Sequence, residues 1–280
     1  MVKQIGNTSL IKLEGVYYKL EYNNPTGSVK DRAVVSQIGN IKRLAFKKAV
    51  ISSSGNAAIS ATYFCRSANI ELDIFVSPSI LKSKLEILKN EGPHIHFTNR
   101  PIKEAHEFSE KTGAYNLRQS KDDIALIGYS KIVEELITQL PEADAIFIPV
   151  SSGSILVGIG REFKKQGKRL ALHAVQTEAV SPIASQFDHE FTPRSKSLAD
   201  AIVARFTPLE KEIIEIIRLT DGCGWVISDN EILKSHEYLT RNSLISSYEG
   251  GAVLAALWKA ERKGIRYKNP VCLLTGKYYG

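Results

Sequence analysis

Long apolar runs, paired cysteines and nucleotide-binding fingerprints are all missing from this sequence, and each absence removes a class of function. The 280 residues hold only three cysteines, Cys65, Cys223 and Cys272, far apart and with no CxxC. That excludes a disulfide framework, and no histidine spacing near them suggests a zinc site, so no metal is expected. A reducing compartment is the simplest setting, and Cys65 and Cys272, in apolar runs, read as small buried hydrophobes. No apolar stretch approaches the roughly 20 residues that span a bilayer. The opening residues, Met1-Val2-Lys3-Gln4-Ile5-Gly6-Asn7, lack the apolar core of a secretory leader. The expectation is a cytoplasmic protein with no membrane partner.

Two phosphate fingerprints are absent as well. No Gly-Lys-Ser/Thr ends a glycine-rich loop, and there is no GxGxxG. Charge of one sign is in modest excess, with 37 Lys and Arg against 30 Asp and Glu and a formal net charge of +7. The basic residues are scattered. The densest patch, Lys42-Arg43 with Lys47-Lys48, has no interleaved aromatics on which bases would stack, which argues against nucleic acid. An anionic small molecule suits a basic protein equally well.

What is present is an alternation of short β-branched runs with helical patterns. Strands are expected at Val16–Leu20, Ala49–Ser52, Leu72–Val76, His94–Phe97, Ala145–Pro149, Leu170–Val175 and Val271–Leu274. Helices are expected at 28–40, 56–68, 79–90, 102–112, 122–140, 155–166, 208–219, 229–243 and 249–263. This alternation gives an α/β fold with mainly parallel sheets flanked by helices. In such sheets ligands bind beyond the carboxyl ends of strands, where a loop enters a helix.

Four such places carry chemistry. Ser53-Ser54-Gly55-Asn56 follows a strand and opens a helix, whose unpaired N–H groups suit a carboxylate or phosphate. Ser and Asn are also ordinary helix caps there. Ser151-Ser152-Gly153-Ser154 repeats the arrangement and makes a candidate phosphate cup. In Asn24-Pro25-Thr26-Gly27-Ser28-Val29-Lys30-Asp31-Arg32, Lys30 falls in the first turn of a helix, whose positive end favours a neutral amine. A neutral amine attacks aldehydes. Finally, Leu274-Thr275-Gly276 closes the last strand with a hydroxyl.

Together these segments resemble the tryptophan synthase β-like, or fold type II, family of pyridoxal-phosphate enzymes, which includes cysteine synthases, threonine synthases and serine or threonine dehydratases. The resemblance covers nearly the whole chain. It begins at Ile5-Gly6-Asn7-Thr8-Ser9-Leu10 and is strongest over Asn24–Arg32. It implies that Lys30 holds pyridoxal 5'-phosphate as a Schiff base and acts as general base when released. It implies that Ser53, Ser54, Gly55 and Asn56 grip the substrate carboxylate, with Asn56 also contacting the cofactor. Ser151, Ser152, Gly153 and Ser154 match the phosphate loop in position, and Thr275 the residue facing the pyridine nitrogen. A hydroxyl there, in place of a carboxylate, favours loss of a β-leaving group. Where cysteine synthases carry Thr and dehydratases His after the loop Asn, this chain has Ala57.

The reading that follows is a cysteine synthase-like β-replacement on an O-activated serine. The alternatives are threonine synthase, acting on O-phosphohomoserine, and a serine or threonine dehydratase. Gly153–Gly160 is similar to cysteine synthases; Leu198–Ile202, Gly128–Lys131 and Leu274–Lys277 are similar to threonine synthases or dehydratases. A non-catalytic pyridoxal-phosphate-binding relative and a nucleotide-binding Rossmann domain stand as readings of other classes. The resemblance also implies a homodimer, and two lobes with the cofactor in the cleft between them: a smaller mobile lobe of 41–135 and a larger lobe of 1–40 and 136–280.

Overall fold

A computed structural model describes residues 4–168 and 170–278. Along the chain come β1 (Leu10–Leu13), β2 (Val16–Leu20), α1 (Lys30–Arg43), β3 (Lys48–Ser52), α2 (Asn56–Ser67), β4 (Glu71–Val76) and α3 (Lys82–Asn90). They are followed by β5 (His94–Phe97), α4 (Pro101–Thr112), β6 (Tyr115–Asn116), α5 (Asp123–Gln139), β7 (Ala145–Pro149), α6 (Ser154–Lys165) and β8 (Ala171–Thr177). The last elements are α7 (Glu210–Leu219), β9 (Gly224–Ile227), α8 (Asp229–Arg241), α9 (Tyr248–Arg262) and β10 (Pro270–Leu274). No described helix is long and apolar enough to cross a membrane.

The chain divides into two compact units, one of Asn24–Gly128 and one of Gly6–Asn23 with the chain from Tyr129 onward. The division falls inside α5. Expected boundaries at 41 and 135 would have put α1 with the second unit. Here α1 packs on α2 and is grouped with Asn24–Gly128.

The first unit holds a four-stranded sheet in the order β5-β4-β3-β6, every pair parallel. Its strands are apolar because both faces are covered: Ala49, Val50, Ile51, Ile74, Phe75 and Val76 are all buried. The chain runs outward from β3 to β4 to β5, and α4 then carries it back to β6 on the other side of β3. With right-handed crossovers, that reversal puts α2 and α3 on one face and α4 on the other.

The second unit repeats the plan. Its six strands run β1-β2-β10-β7-β8-β9, parallel except for the β1–β2 hairpin. The chain passes outward from β7 to β8 to β9, then returns through α8 and α9 to β10 on the far side of β7. Helix α9 packs on β7, β8, β9 and β10. Its small buried residues Gly250, Gly251, Ala252, Ala255 and Ala256 let it approach the sheet and α8 closely. Phe147, Trp225, Leu254 and Cys272 share this core.

Two polar networks pin segments that the sequence had singled out. Lys19 is fully buried and donates to Thr8 O (2.7 Å), Glu135 Oε2 (2.6 Å) and Gln139 Oε1 (2.9 Å). Glu135 also accepts the N–H groups of Asn7 and Thr8. The Gly6-Asn7-Thr8 opening is therefore an anchor onto α5, in which the buried lysine is compensated by three acceptors. In the Leu198–Ile202 stretch, Leu198 N–H donates to Asp229 Oδ1 (3.0 Å) and Ala201 N–H to Glu249 Oε1 (3.0 Å).

Candidate active site

Each sheet reverses its strand order once, and the crevice outside the carboxyl ends at that reversal is where α/β sheets bind ligands. In the first unit the reversal lies between β3 and β6, paired through Ala49↔Tyr115 and Val50↔Asn116. Beyond β3 comes Ser53-Ser54-Gly55, with Asn56 as the first residue of α2; beyond β6 comes a 3-10 turn beginning at Gln119. In the second unit the reversal lies between β7 and β10, paired through Val271↔Ile146 and Cys272↔Phe147. Beyond β7 comes Ser151–Ser154 at the start of α6, and beyond β10 comes Thr275. Strand order thus brings Ser53–Asn56, Ser151–Ser154 and Thr275 to the positions where such sheets bind ligands.

The Asn24–Arg32 run carries five buried polar residues, Asn24, Thr26, Ser28, Asp31 and Arg32. A surface loop does not bury such groups, so they must be held by hydrogen bonds. Gly27 N–H donates to Asn24 O (2.9 Å), closing a turn. The Asp31 carboxylate accepts Thr26 N–H at 2.7 Å and also the Thr26 hydroxyl. Asp31 therefore folds the loop back onto the first turn of α1 and fixes its start at Lys30.

Lys30 Nζ donates to Gln119 Oε1 at 3.2 Å. Burial pushes its ammonium down to about 8. Desolvation is the cause of the easier neutral form. Gln119 is itself buried and lies 89 positions from Lys30. Sequence reading missed it, because nothing local marks a glutamine that meets a lysine through the sheet.

The Ser53–Asn56 loop is lightly tied. Ser53 Oγ accepts Gly55 N–H (3.2 Å), and Gly55 O accepts the N–H groups of Ala58 and Ile59. A side chain built on Gly55 would meet nothing within 4 Å, so there is open space before the loop. Asn56 Oδ1 is buried and has no hydrogen-bond partner. A buried amide oxygen without a partner costs about 1–3 kcal/mol, and it marks where a ligand donor belongs.

The Ser151–Ser154 loop is engaged instead. Ser151 Oγ accepts the N–H groups of Val203 (3.2 Å) and Ala204 (3.3 Å), Thr207 Oγ1 donates to Ser152 O (2.6 Å), and Ser152 Oγ lies 3.1 Å from Ser154 Oγ. Gly153 has φ +83°, and a Cβ there would lie 2.1 Å from Ile213 Cδ1, so only glycine fits. The backbone N–H groups that open α6 remain for an anion. The strap that binds this loop, 203–207, went unnoticed in the sequence because it follows the loop by some fifty residues. Thr275 is partly exposed, and the next carbonyl, Gly276 O, accepts Ser247 N–H at 2.9 Å. No group of three His, Cys, Asp or Glu able to hold a metal occurs among the described residues.

In the first unit, a half-buried lysine with a lowered proton affinity and a buried amide oxygen lacking a partner suit an aldehyde group; in the second, a helix start behind a left-handed glycine suits a phosphate. Comparison with known proteins agrees. A family profile described as "Pyridoxal-phosphate dependent enzyme" matches residues 2–276. A cysteine synthase of Staphylococcus aureus is 29% identical over 290 residues, covering 93% of this chain and 88% of that protein. An L-threonine ammonia-lyase of Thermotoga maritima is 24% identical over 265 residues, covering 89% of this chain. This chain spans only 64% of that protein's length, and 66% of a second L-threonine ammonia-lyase, from Geobacter sulfurreducens. Among solved structures, an O-acetylserine-dependent cystathionine β-synthase from Helicobacter pylori superposes with a TM-score of 0.84 at 22% identity, covering 98% of this chain and 94% of that one. A serine racemase from maize does so with a TM-score of 0.84 at 20% identity, covering 96% of this chain and 88% of that one. The chain belongs to the pyridoxal-phosphate-dependent enzyme family.

Proposed function

We propose that this chain catalyses β-replacement on an O-activated serine, with sulfide or a thiol as the incoming nucleophile. The observation that carries the reading is Lys30, an amine at a helix start pushed down to about 8 by burial, in the unit that also holds the unpartnered Asn56 Oδ1. Pyridoxal phosphate, when bound, supplies the electron sink. Lys30 would hold it through its side-chain amine and, when free, would serve as the base for the substrate α-proton. Asn56, whose Oδ1 lacks a donor, would line the ring side of the cofactor, while Ser53, Ser54 and Gly55 would receive the substrate carboxylate. Ser151–Ser154 and the start of α6 would receive the phosphate, and Thr275 would offer its hydroxyl to the ring. The choice of replacement rests on the cysteine synthase relative, which this chain matches over 88% of its length. Homodimeric assembly and a cytoplasmic setting belong to the same reading.

A second reading, deamination of threonine or serine, is favoured by the similarity to L-threonine ammonia-lyases at 24% and 25% identity. A third, on O-phosphohomoserine, rests on Leu274-Thr275-Gly276-Lys277. One panel separates them. Cysteine from O-acetylserine or O-phosphoserine with sulfide supports the first. Ammonia and a keto acid from threonine or serine support the second, and phosphate release from O-phosphohomoserine the third. Absence of product from every O-activated serine overturns the proposal.

A further inference from the structure

A polar seam runs along one face of α1. Lys30 and Gln37 are two helical turns apart and therefore share a face. Opposite them lies the segment from β6 into α5. Lys30 meets Gln119 (3.2 Å), Gln37 Nε2 donates to Asp122 Oδ2 (2.7 Å), and Asn40 Nδ2 donates to Tyr115 OH (3.2 Å). Tyr115 OH in turn donates to the same Asp122 oxygen at 2.7 Å. Asp122 Oδ1 accepts Ile124 N–H (2.9 Å), capping α5.

The bonds have one direction. Arg43 donates to Asn40 Oδ1 (2.6 Å), Asn40 to Tyr115, and Tyr115 to Asp122, so a cation starts the chain and a carboxylate ends it. Such charge-assisted bonds are the strong ones. Burial first, and then the bond to Asp122, push the Tyr115 hydroxyl up to about 12, so it stays a donor. Gln37 is fully buried, and its other amide atom, Oε1, has no partner. A buried glutamine that satisfies only one end is kept for that bond to Asp122.

We propose that Asp122 is a positioning residue: it clamps the turn carrying Gln119 onto α1 and so sets the contact between Gln119 and Lys30. The inference rests on Lys30 being the reactive amine but does not need the cofactor to be present. Without the clamp, Gln119 leaves Lys30 and water reaches the amine.

The test is competitive acetylation of the full-length chain, freed of carbonyl compounds by hydroxylamine, with acetic anhydride and peptide mass spectrometry across pH. In the parent chain the Lys30 labelling midpoint is expected near 8. In Asp122→Asn and Tyr115→Phe it moves up by about one unit towards the ordinary lysine value near 10.4. Gln119→Ala reproduces the shift, and adding it to Asp122→Asn moves the midpoint no further, because both act on one contact. Tyr115→Phe keeps the α5 cap, so it remains informative if Asp122→Asn fails to fold. A midpoint unchanged in folded Tyr115→Phe, or additive shifts in the double variant, overturns the proposal. Failure of the catalytic reading looks different: reloading with pyridoxal phosphate would then leave Lys30 as open to acetylation as before.

Discussion

The two strand reversals share a topology but differ in how complete their polar groups are. At β3 and β6 the loop is lightly bonded, space lies open before Gly55, and Asn56 Oδ1 is buried without a partner. At β7 and β10 the serine loop is held from within the protein by Val203, Ala204 and Thr207. At Asn56, before open space, the missing partner is one a ligand can supply, whereas the bonded serine loop is already fixed. On the proposed reading, the first region is where a ligand adds bonds that the protein lacks. The second is a preformed seat, and its serines replace flexibility with fixed bonds.

The contrast is broken most completely at Lys30. Lys30→Ala should lower turnover by about a thousandfold or more, the scale of losing a positioned acid–base group, without loss of fold by circular dichroism. Gly153→Ala comes next. With its Cβ 2.1 Å from Ile213 Cδ1 and a left-handed backbone, it should cost about 1–3 kcal/mol in denaturant unfolding and weaken cofactor binding as well. Asn56→Ala should do the opposite to the cofactor-free protein. Removing an orphaned oxygen leaves its stability level or slightly higher, while cofactor affinity falls about tenfold, the scale of a lost buried hydrogen bond. If instead Asn56→Ala destabilises the cofactor-free chain as Gly153→Ala does, the two regions are not different in kind.

Smaller effects sharpen the comparison. The Lys30 amine has its proton affinity lowered by burial, so the unfolded chain holds more protons between about pH 8 and 10.4. The cost of burying it is fully present below about 8 and fades as pH rises towards 10.4. Lys30→Met should therefore stabilise the cofactor-free protein at pH 7 by about 1–2 kcal/mol and cease to do so near pH 10.4. Ser151→Ala should cost about 1 kcal/mol through the orphaned N–H groups of Val203 and Ala204, measured in the same unfolding series.

Much of the framework was legible. Val16–Leu20, His94–Phe97 and Ala145–Pro149 coincide with the expected strands, and most helices begin or end within two residues of expectation. Long periodic segments carry their own signal. Leu10–Leu13 was overlooked because its burial is partial and its alternation weak, and Tyr115–Asn116 because two residues show no period. Gly224–Ile227 was overlooked because glycine and cysteine precede a very short apolar run. At the candidate site, loops of the form strand–Ser–Gly–helix announced themselves. Gln119, Asp122 and the 203–207 strap did not, since their meaning comes from partners dozens of residues away. The strand order that places both loops at reversals is also non-local. It turns three separate motifs into two ligand positions, which no single motif did.

The central claim, that Lys30 is the amine prepared to hold the cofactor, is tested most directly by chemical trapping. Full-length protein loaded with pyridoxal phosphate is reduced with borohydride, digested and mapped by mass spectrometry. The account predicts one equivalent of reduced pyridoxyl group, on the peptide containing Lys30, and none in Lys30→Ala. A stoichiometric adduct on any other lysine, or an unmodified Lys30 in protein that retains bound cofactor, would contradict it.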